Sequence, residues 1–170
     1  MNRYDSVVRQ LDQAVEEGLK LRFGAAVPAF DADPAVVLAA LQDARRRLDR
    51  VEELLAVSLR IKAAAERDRS LAQARVDDEW DSKINEARDG RRTVAVIRER
   101  DEFSSAKERA AEANLATLDL RRTAREATDI HAQCAAQVDV LRLLHRGLDS
   151  IRHDLLATLR TLAFESTLDR

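Results

Sequence analysis

The sequence predicts an all-α fold: a long antiparallel helical hairpin of the coiled-coil type, with an N-terminal amphipathic helix and a short C-terminal helix. Three observations predict it. The 170-residue chain contains only 4 Gly and 2 Pro, so residues that break helices are rare. Aromatic residues make up 4% and charged residues 35% of the chain, which is typical of long helices rather than of compact globules. Apolar residues recur at spacings of three and four over long stretches.

The first element, within residues 1–23, is predicted to be an amphipathic helix. At about 100° per residue its apolar side chains share one face, opposite the charged ones. That face consists of Tyr4, Val7, Val8, Leu11, Ala14, Val15 and Leu19, continued by Leu21. Two interpretations stay open. The face lies in a lipid interface, where the balanced charges of the helix give only modest attraction to anionic lipid, or it packs onto the base of the chain's own hairpin.

Residues 24–34 form a predicted linker that leads into the first arm of the hairpin. Asp33 followed by Pro34 indicates a helix N-cap with proline at the first helical position. From there a helix can continue to about Arg88. Its seam is predicted at Val37, Leu41, Ala44, Leu48, Val51 and Leu55.

The hairpin is predicted to occupy residues 35–146, with its tip near residues 88–92. Asp89-Gly90 is the plausible reversal in the middle of the chain. It would place residue 35 opposite residue 146. The second arm carries the most regular stripe, made of Phe103, Ala106, Ala110, Ala113, Thr117, Leu120, Ala124, Ala127, His131, Cys134, Val138, Leu141, His145 and Leu148.

Residues 147–170 carry a further apolar stripe after Gly147. This C-terminal segment either prolongs the second arm or folds back as a separate helix, and its pattern is compatible with both.

Charge and composition exclude several classes of function and location. The formal net charge of −2 argues against a general nucleic-acid binder. A single cysteine excludes an intramolecular disulfide and makes a reducing compartment the default. The sequence has neither an apolar signal region at its start nor a run long enough to span a bilayer. We therefore expect a cytoplasmic protein, with the inner face of the cell membrane as a peripheral alternative.

His131 and Cys134 form the one arrangement that suggests metal chemistry, since residues three apart share a helix face. Both lie in the predicted seam, and a structural zinc site needs four ligands. The sequence therefore favours a packed, metal-free pair, in which His131 forms a polar layer that fixes the register of the arms. It has no glycine loop for phosphate and no catalytic constellation. We predict neither a cofactor nor an enzymatic activity.

A few residues at characteristic spacings resemble a known family. Asp33-Pro34 is followed by an apolar stretch. Further along come Trp80, Lys83, Ala87, Gly90, Val94 and Ala95, in that order. This pattern resembles the phage shock protein A family, which includes the plastid vesicle-inducing protein and is related to the ESCRT-III membrane-remodelling proteins. The resemblance covers roughly residues 1–146. The linker is longer than is usual in that family, and the sequence ends before the position of the family's final helix.

The resemblance implies a peripheral membrane protein of the stress-response and membrane-remodelling type. On that basis the amphipathic helix would contact lipid, and the hairpins would stack into a homo-oligomer. A regulatory protein partner is also implied. Trp80, close to the predicted tip, is either an exposed anchor for a neighbouring subunit or a cover for the last turn of the seam. The alternative to the membrane function is a soluble coiled-coil module for protein interaction or structure, without lipid binding.

Overall fold

The computed structural model describes the backbone of residues 3–29, 32–94 and 102–168, and the side chains of residues 6–29, 32–85, 107–108 and 110–164. These ranges contain four helices and no strand: α1 (Arg3–Phe23), α2 (Pro34–Val94), α3 (Glu102–Ala116) and α4 (Leu118–Leu168). The all-helical class predicted from the sequence is therefore confirmed.

Asp33 caps the start of α2, as its position before a proline predicted. Its carboxylate oxygen accepts a hydrogen bond from the backbone N–H of Ala35 at 2.7 Å. Its carbonyl oxygen accepts the N–H groups of Val36 and Val37. These contacts satisfy donors that the first turn of a helix leaves without an intrahelical partner.

Helix α2 continues through Asp89 and Gly90 and ends at Val94. The chain has therefore not reversed at the dipeptide where the sequence predicted the turn. A single glycine inside a helix costs only about 1 kcal/mol relative to alanine, and a long flanking seam offsets that cost. Residues 95–101, which follow, lie outside the described residues.

The second arm is divided at Thr117, which separates α3 from α4. The Thr117 side chain is fully buried, and its hydroxyl donates a hydrogen bond to the carbonyl oxygen of Ala113 at 2.7 Å. Threonine hydroxyls that bond back to the preceding turn bend helices. The periodicity predicted the burial of Thr117 but not this interruption.

Helix α4 passes through Gly147 without interruption and extends to Leu168. Of the two alternatives for the C-terminal segment, prolongation of the second arm is the one that the structure has. Ile151 and Leu155 are buried there against Val37 and Ala44 of α2, where the sequence had predicted residue 146 opposite residue 35.

The chain divides into two compact units. We call residues 1–62 and 133–170 the bundle unit and residues 63–132 the arm unit. Helices α2 and α4 contribute to both.

In the bundle unit, α1 packs against α2 and α4 to form a three-helix arrangement. Its apolar side chains join core clusters made of leucines, valines and alanines from the other two helices. One cluster contains Ala14, Leu141 and Leu144 with Val15, Leu54 and Leu55; a second contains Leu48, Val51 and Leu148 with Leu21 and Ala25.

In the arm unit, the described core is built from small side chains. The buried residues are Ala65, Val76, Ala113, Thr117, Ala124 and Ala127. Small side chains let helices approach closely, but each contributes little apolar area. The described part of the arm unit is therefore held by close helix contact rather than by a thick core.

Candidate functional site

The apolar face of α1 is buried inside the chain itself. Leu11 has no exposed surface and Ala14 is 9% exposed. Gly18 marks the closest approach of the helix: a Cβ atom at that position would lie 3.0 Å from a methyl group of Leu141 and 3.1 Å from one of Leu144. Residues with larger side chains at this position would push α1 away from α4. Sequence periodicity did not identify Gly18, although a glycine on the apolar face is the signal for such an approach.

Three polar contacts fix α1 at its sides and its end. Glu17 pairs with Arg50 of α2 at 2.7 Å, an interaction that also raises the pKa of the Arg50 guanidinium. Asp12 accepts a hydrogen bond from the side-chain amide of Gln137 on α4.

The third contact closes the C-terminal end of α1. The Arg47 guanidinium donates to the carbonyl oxygen of Leu21 at 3.1 Å and pairs with Asp43. A cation at this end complements the helix dipole and satisfies a carbonyl that lacks an intrahelical partner.

The structure thus has α1 in the second of the two arrangements open to the sequence, packing onto its own hairpin helices. Of the predicted lipid-facing residues, Leu11 and Ala14 are core residues, and Val7, Val8 and Val15 are partly buried. Leu19 is 37% exposed, and the side chain of Tyr4 lies outside the described residues. Contact of this face with lipid requires α1 to detach from α2 and α4.

Two histidines of α4 contact glutamates of α2. In the arm unit, His131 Nε2 lies 2.5 Å from a carboxylate oxygen of Glu66. In the bundle unit, His145 Nε2 lies 3.0 Å from a carboxylate oxygen of Glu52. The two glutamates are two heptads apart on α2, and the two histidines are two heptads apart on α4 in the reverse order. In both pairs the midpoint of the two residue numbers lies between residues 98 and 99 rather than at Gly90.

Cys134 is fully buried, and burial raises the pKa of its thiol. His131, one turn away, directs its imidazole to Glu66. Within the described part of the chain, no three His, Cys, Asp or Glu residues are placed to hold a metal ion together.

The residues predicted near the tip are only partly covered by the described side chains. Trp80 is partly buried, with the guanidinium carbon of Arg121 at 4.9 Å from its ring centroid. Lys83 lies 3.9 Å from a carboxylate oxygen of Glu79. The side chains of Ala87 and Val94, the surroundings of Gly90 and all of Ala95 lie outside the described residues.

Two adjoining grooves of the arm unit, of 460 and 370 Å³, share Gln73, Asp77 and Thr128. Both are open to solvent. None of the described helices combines the length and apolarity that crossing a bilayer requires.

Comparison of the chain with family models, with curated proteins and with solved structures found no match.

Proposed function

We propose that this chain is a non-enzymatic helical scaffold that acts by assembling with protein surfaces, including copies of itself. The observation that carries the proposal is the burial of the apolar face of α1 in the chain's own bundle, where Leu11 is fully covered and Gly18 is in close contact with Leu141. A helix seated in this way is a structural element. Exposed apolar side chains elsewhere on the chain are then the surfaces open to a partner.

Within this function, α2 and the second arm act as an antiparallel coiled-coil hairpin. The pairs Glu66–His131 and Glu52–His145 fix the register by a polar contact every two heptads. Cysteines at positions 66 and 131, in a Cys134→Ala background, should be cross-linked within one molecule by a short thiol reagent. The pair Leu55→Cys and Glu126→Cys tests the register centred on Gly90 and should remain unlinked. The reverse result contradicts the proposed register.

A peripheral membrane function is the second candidate. It follows from the resemblance to the phage shock protein A family, and one observation favours it: Phe23, at the end of α1, is 79% exposed, and Leu19, one turn before it, is 37% exposed. In that case α1 would leave the bundle and lie in the lipid interface. The chain would then be a stress-response or membrane-remodelling protein with a regulatory partner.

Locking α1 in its seat separates the two candidates. Asp12→Cys and Gln137→Cys, in a Cys134→Ala background, allow a short bifunctional thiol reagent to join α1 to α4. The locked and unlocked proteins are then sedimented with vesicles of phosphatidylethanolamine and phosphatidylglycerol. The scaffold function predicts that neither protein sediments with vesicles. Sedimentation of the unlocked protein alone establishes the membrane function instead.

Assembly itself is tested by sedimentation velocity of the native chain, whose monomer mass is 19.1 kDa. The scaffold function predicts association that depends on concentration between about 1 and 100 µM, the range of moderate protein–protein affinity. A species that remains monomeric across this range, and that captures no helical partner protein, contradicts it.

A further inference from the structure

Helices α1 and α4 lie side by side and parallel in the bundle unit. Asp12 contacts Gln137 near the start of the shared stretch, and Arg22 lies against Gly147 near its end. The two helices therefore run in the same direction along one surface of the unit. Side chains at intermediate positions on the outer faces of the two helices are neighbours.

Four large apolar side chains on this surface remain exposed. They are Leu19 (37%), Phe23 (79%), Val140 (37%) and Leu143 (64%), and we call them the α1/α4 patch. Single exposed leucines are ordinary on protein surfaces. Several of them on two helices that pack side by side expose apolar area of the kind that marks a site of interaction.

The charged residues around the patch follow a fixed order. In residues 12–23 every acid precedes every base, and the same is true in residues 136–147. The acids are Asp12, Glu16 and Asp139, together with Glu17, which pairs with Arg50 on the side of α1 that faces α2; the bases are Lys20, Arg22, Arg142 and Arg146. Because the two helices run parallel, the acidic residues lie toward one end of the patch and the basic residues toward the other.

We propose that the α1/α4 patch docks onto the same patch of a second copy of this chain, antiparallel, about a two-fold axis close to Leu143. A two-fold axis through the patch places the acidic end of each copy on the basic end of the other and brings the apolar centres together. A parallel arrangement would instead bring like charges together. This charge order makes the surface complementary to itself.

The rim of the patch is free to exchange partners. Lys20 pairs with Glu16 at 2.8 Å, and Arg142 pairs with Asp139 at 2.9 Å, and both contacts lie within one helix. The side-chain hydrogen bond from Lys20 lowers the pKa of Glu16, so this carboxylate is charged at neutral pH. Exposed pairs of this kind hold little free energy, so contacts across a two-fold interface can replace them without loss.

This inference rests on the proposed assembly function and names its surface and its partner. The first test is sedimentation velocity of the full chain carrying Leu143→Glu. The control is Leu38→Glu, which places the same charge at an exposed leucine of α2 in the same unit. We expect Leu143→Glu to raise the dimer dissociation constant at least about tenfold, because it buries a charge at the centre of the interface. The control should leave the constant unchanged, and circular dichroism should show equal helicity.

Charge exchange tests the antiparallel arrangement. One variant carries Lys20→Glu with Arg146→Glu, and the other carries Glu16→Lys with Asp139→Lys. Each alone should dimerise weakly, since charges of one sign now predominate on its rim and the two copies repel each other. An equimolar mixture should form a heterodimer at close to the native affinity. A mixture that stays monomeric contradicts the two-fold geometry.

The position of the axis is tested by Leu143→Cys in a Cys134→Ala background. Near a two-fold axis a residue meets its own copy, so this cysteine should cross-link between two chains and Leu38→Cys should not. A native dimer that Leu143→Glu leaves intact overturns the inference while the assembly function stands. A native chain that stays monomeric overturns the inference, and the assembly function fails with it only if the chain also captures no helical partner protein. The native chain could instead be a monomer that binds phosphatidylglycerol vesicles. If Leu143→Glu then abolishes that binding, the patch is a lipid-binding surface and the inference is overturned.

Discussion

The effect of replacing Ser58 on the free energy of unfolding tests how the bundle unit is stabilised. It is fully buried on α2, and its hydroxyl has no hydrogen-bond partner among the described residues. A buried hydroxyl without a partner has lost its hydration and gained nothing in exchange. Replacing Ser58 by alanine removes the hydroxyl and keeps the helix.

The expected change is a gain. Relieving an unpartnered buried hydroxyl is worth about 1–3 kcal/mol. Alanine adds about 0.5 kcal/mol of helix propensity, and the lost contacts of one oxygen atom subtract less than about 1 kcal/mol. Taken at the middle of these ranges, the three terms add up to a gain of about 2 kcal/mol in the free energy of unfolding for Ser58→Ala. In a chain of this length that corresponds to an increase in Tm of roughly 4–8 °C.

The assay is urea unfolding followed by circular dichroism, at a protein concentration held constant because association also shifts stability. The matched control is Ser150→Ala, at an exposed serine within α4 of the same unit. Only the propensity contribution of about 0.5 kcal/mol is expected there. A Ser58→Ala variant that gains no more than the control, or that loses stability, refutes the reasoning.

Three further changes probe the packing of the bundle unit. Leu11→Ala should lower the free energy of unfolding by about 2–5 kcal/mol in urea titrations, because Leu11 is fully buried. Leu19→Ala, at a partly exposed position of the same helix, should lower it by less than about 1 kcal/mol. Equal losses contradict the packing described for α1. Gly147→Ala should raise the Tm with a gain of about 0.5–1 kcal/mol, because the new Cβ meets only the flexible end of the Arg22 side chain, and a loss would show that this side chain cannot move. The Cys134 thiol, whose pKa burial raises, should react with a disulfide reagent at pH 8 at least about 100-fold more slowly than in the unfolded chain, and equal rates would mean that the seam is open.

Periodicity alone predicted much of what is buried. Val37, Ala44, Leu48 and Val51 of α2 are core residues, as are most seam positions of α4 around Cys134. A spacing of three and four records which face of a helix is apolar, and in a long helix that face has to be covered. The N-cap at Asp33 was equally readable, because capping depends on neighbours in the sequence.

The register was not readable in the same way. A glycine beside an aspartate is compatible with a turn and with a helix, and the seams on either side decide between them. In the structure Gly90 lies inside α2. The contacts that we propose to set the register, Glu66 with His131 and Glu52 with His145, join residues far apart in the sequence. A repetitive small-residue seam fits several registers nearly as well.

For a related reason, the local sequence pattern could not predict where α1 packs. Periodicity showed that Leu11 and Ala14 share an apolar face, and it left open whether lipid or protein covers that face. The cover consists of Leu141, Leu144 and their neighbours on α4, which follow no short-range rule that points back to α1. Gly18 was the nearest local signal, since a glycine on an otherwise apolar face indicates a close neighbour.

The distance along the chain between α1 and its cover has a consequence during synthesis. Asp12 and Gln137 are separated by 125 residues. At 5–20 residues per second, the first helix therefore waits on the order of ten seconds after leaving the ribosome before its binding site on α4 exists. In that interval its leucines and valines are not yet covered by α4, so a chaperone or a membrane can bind them before α4 does.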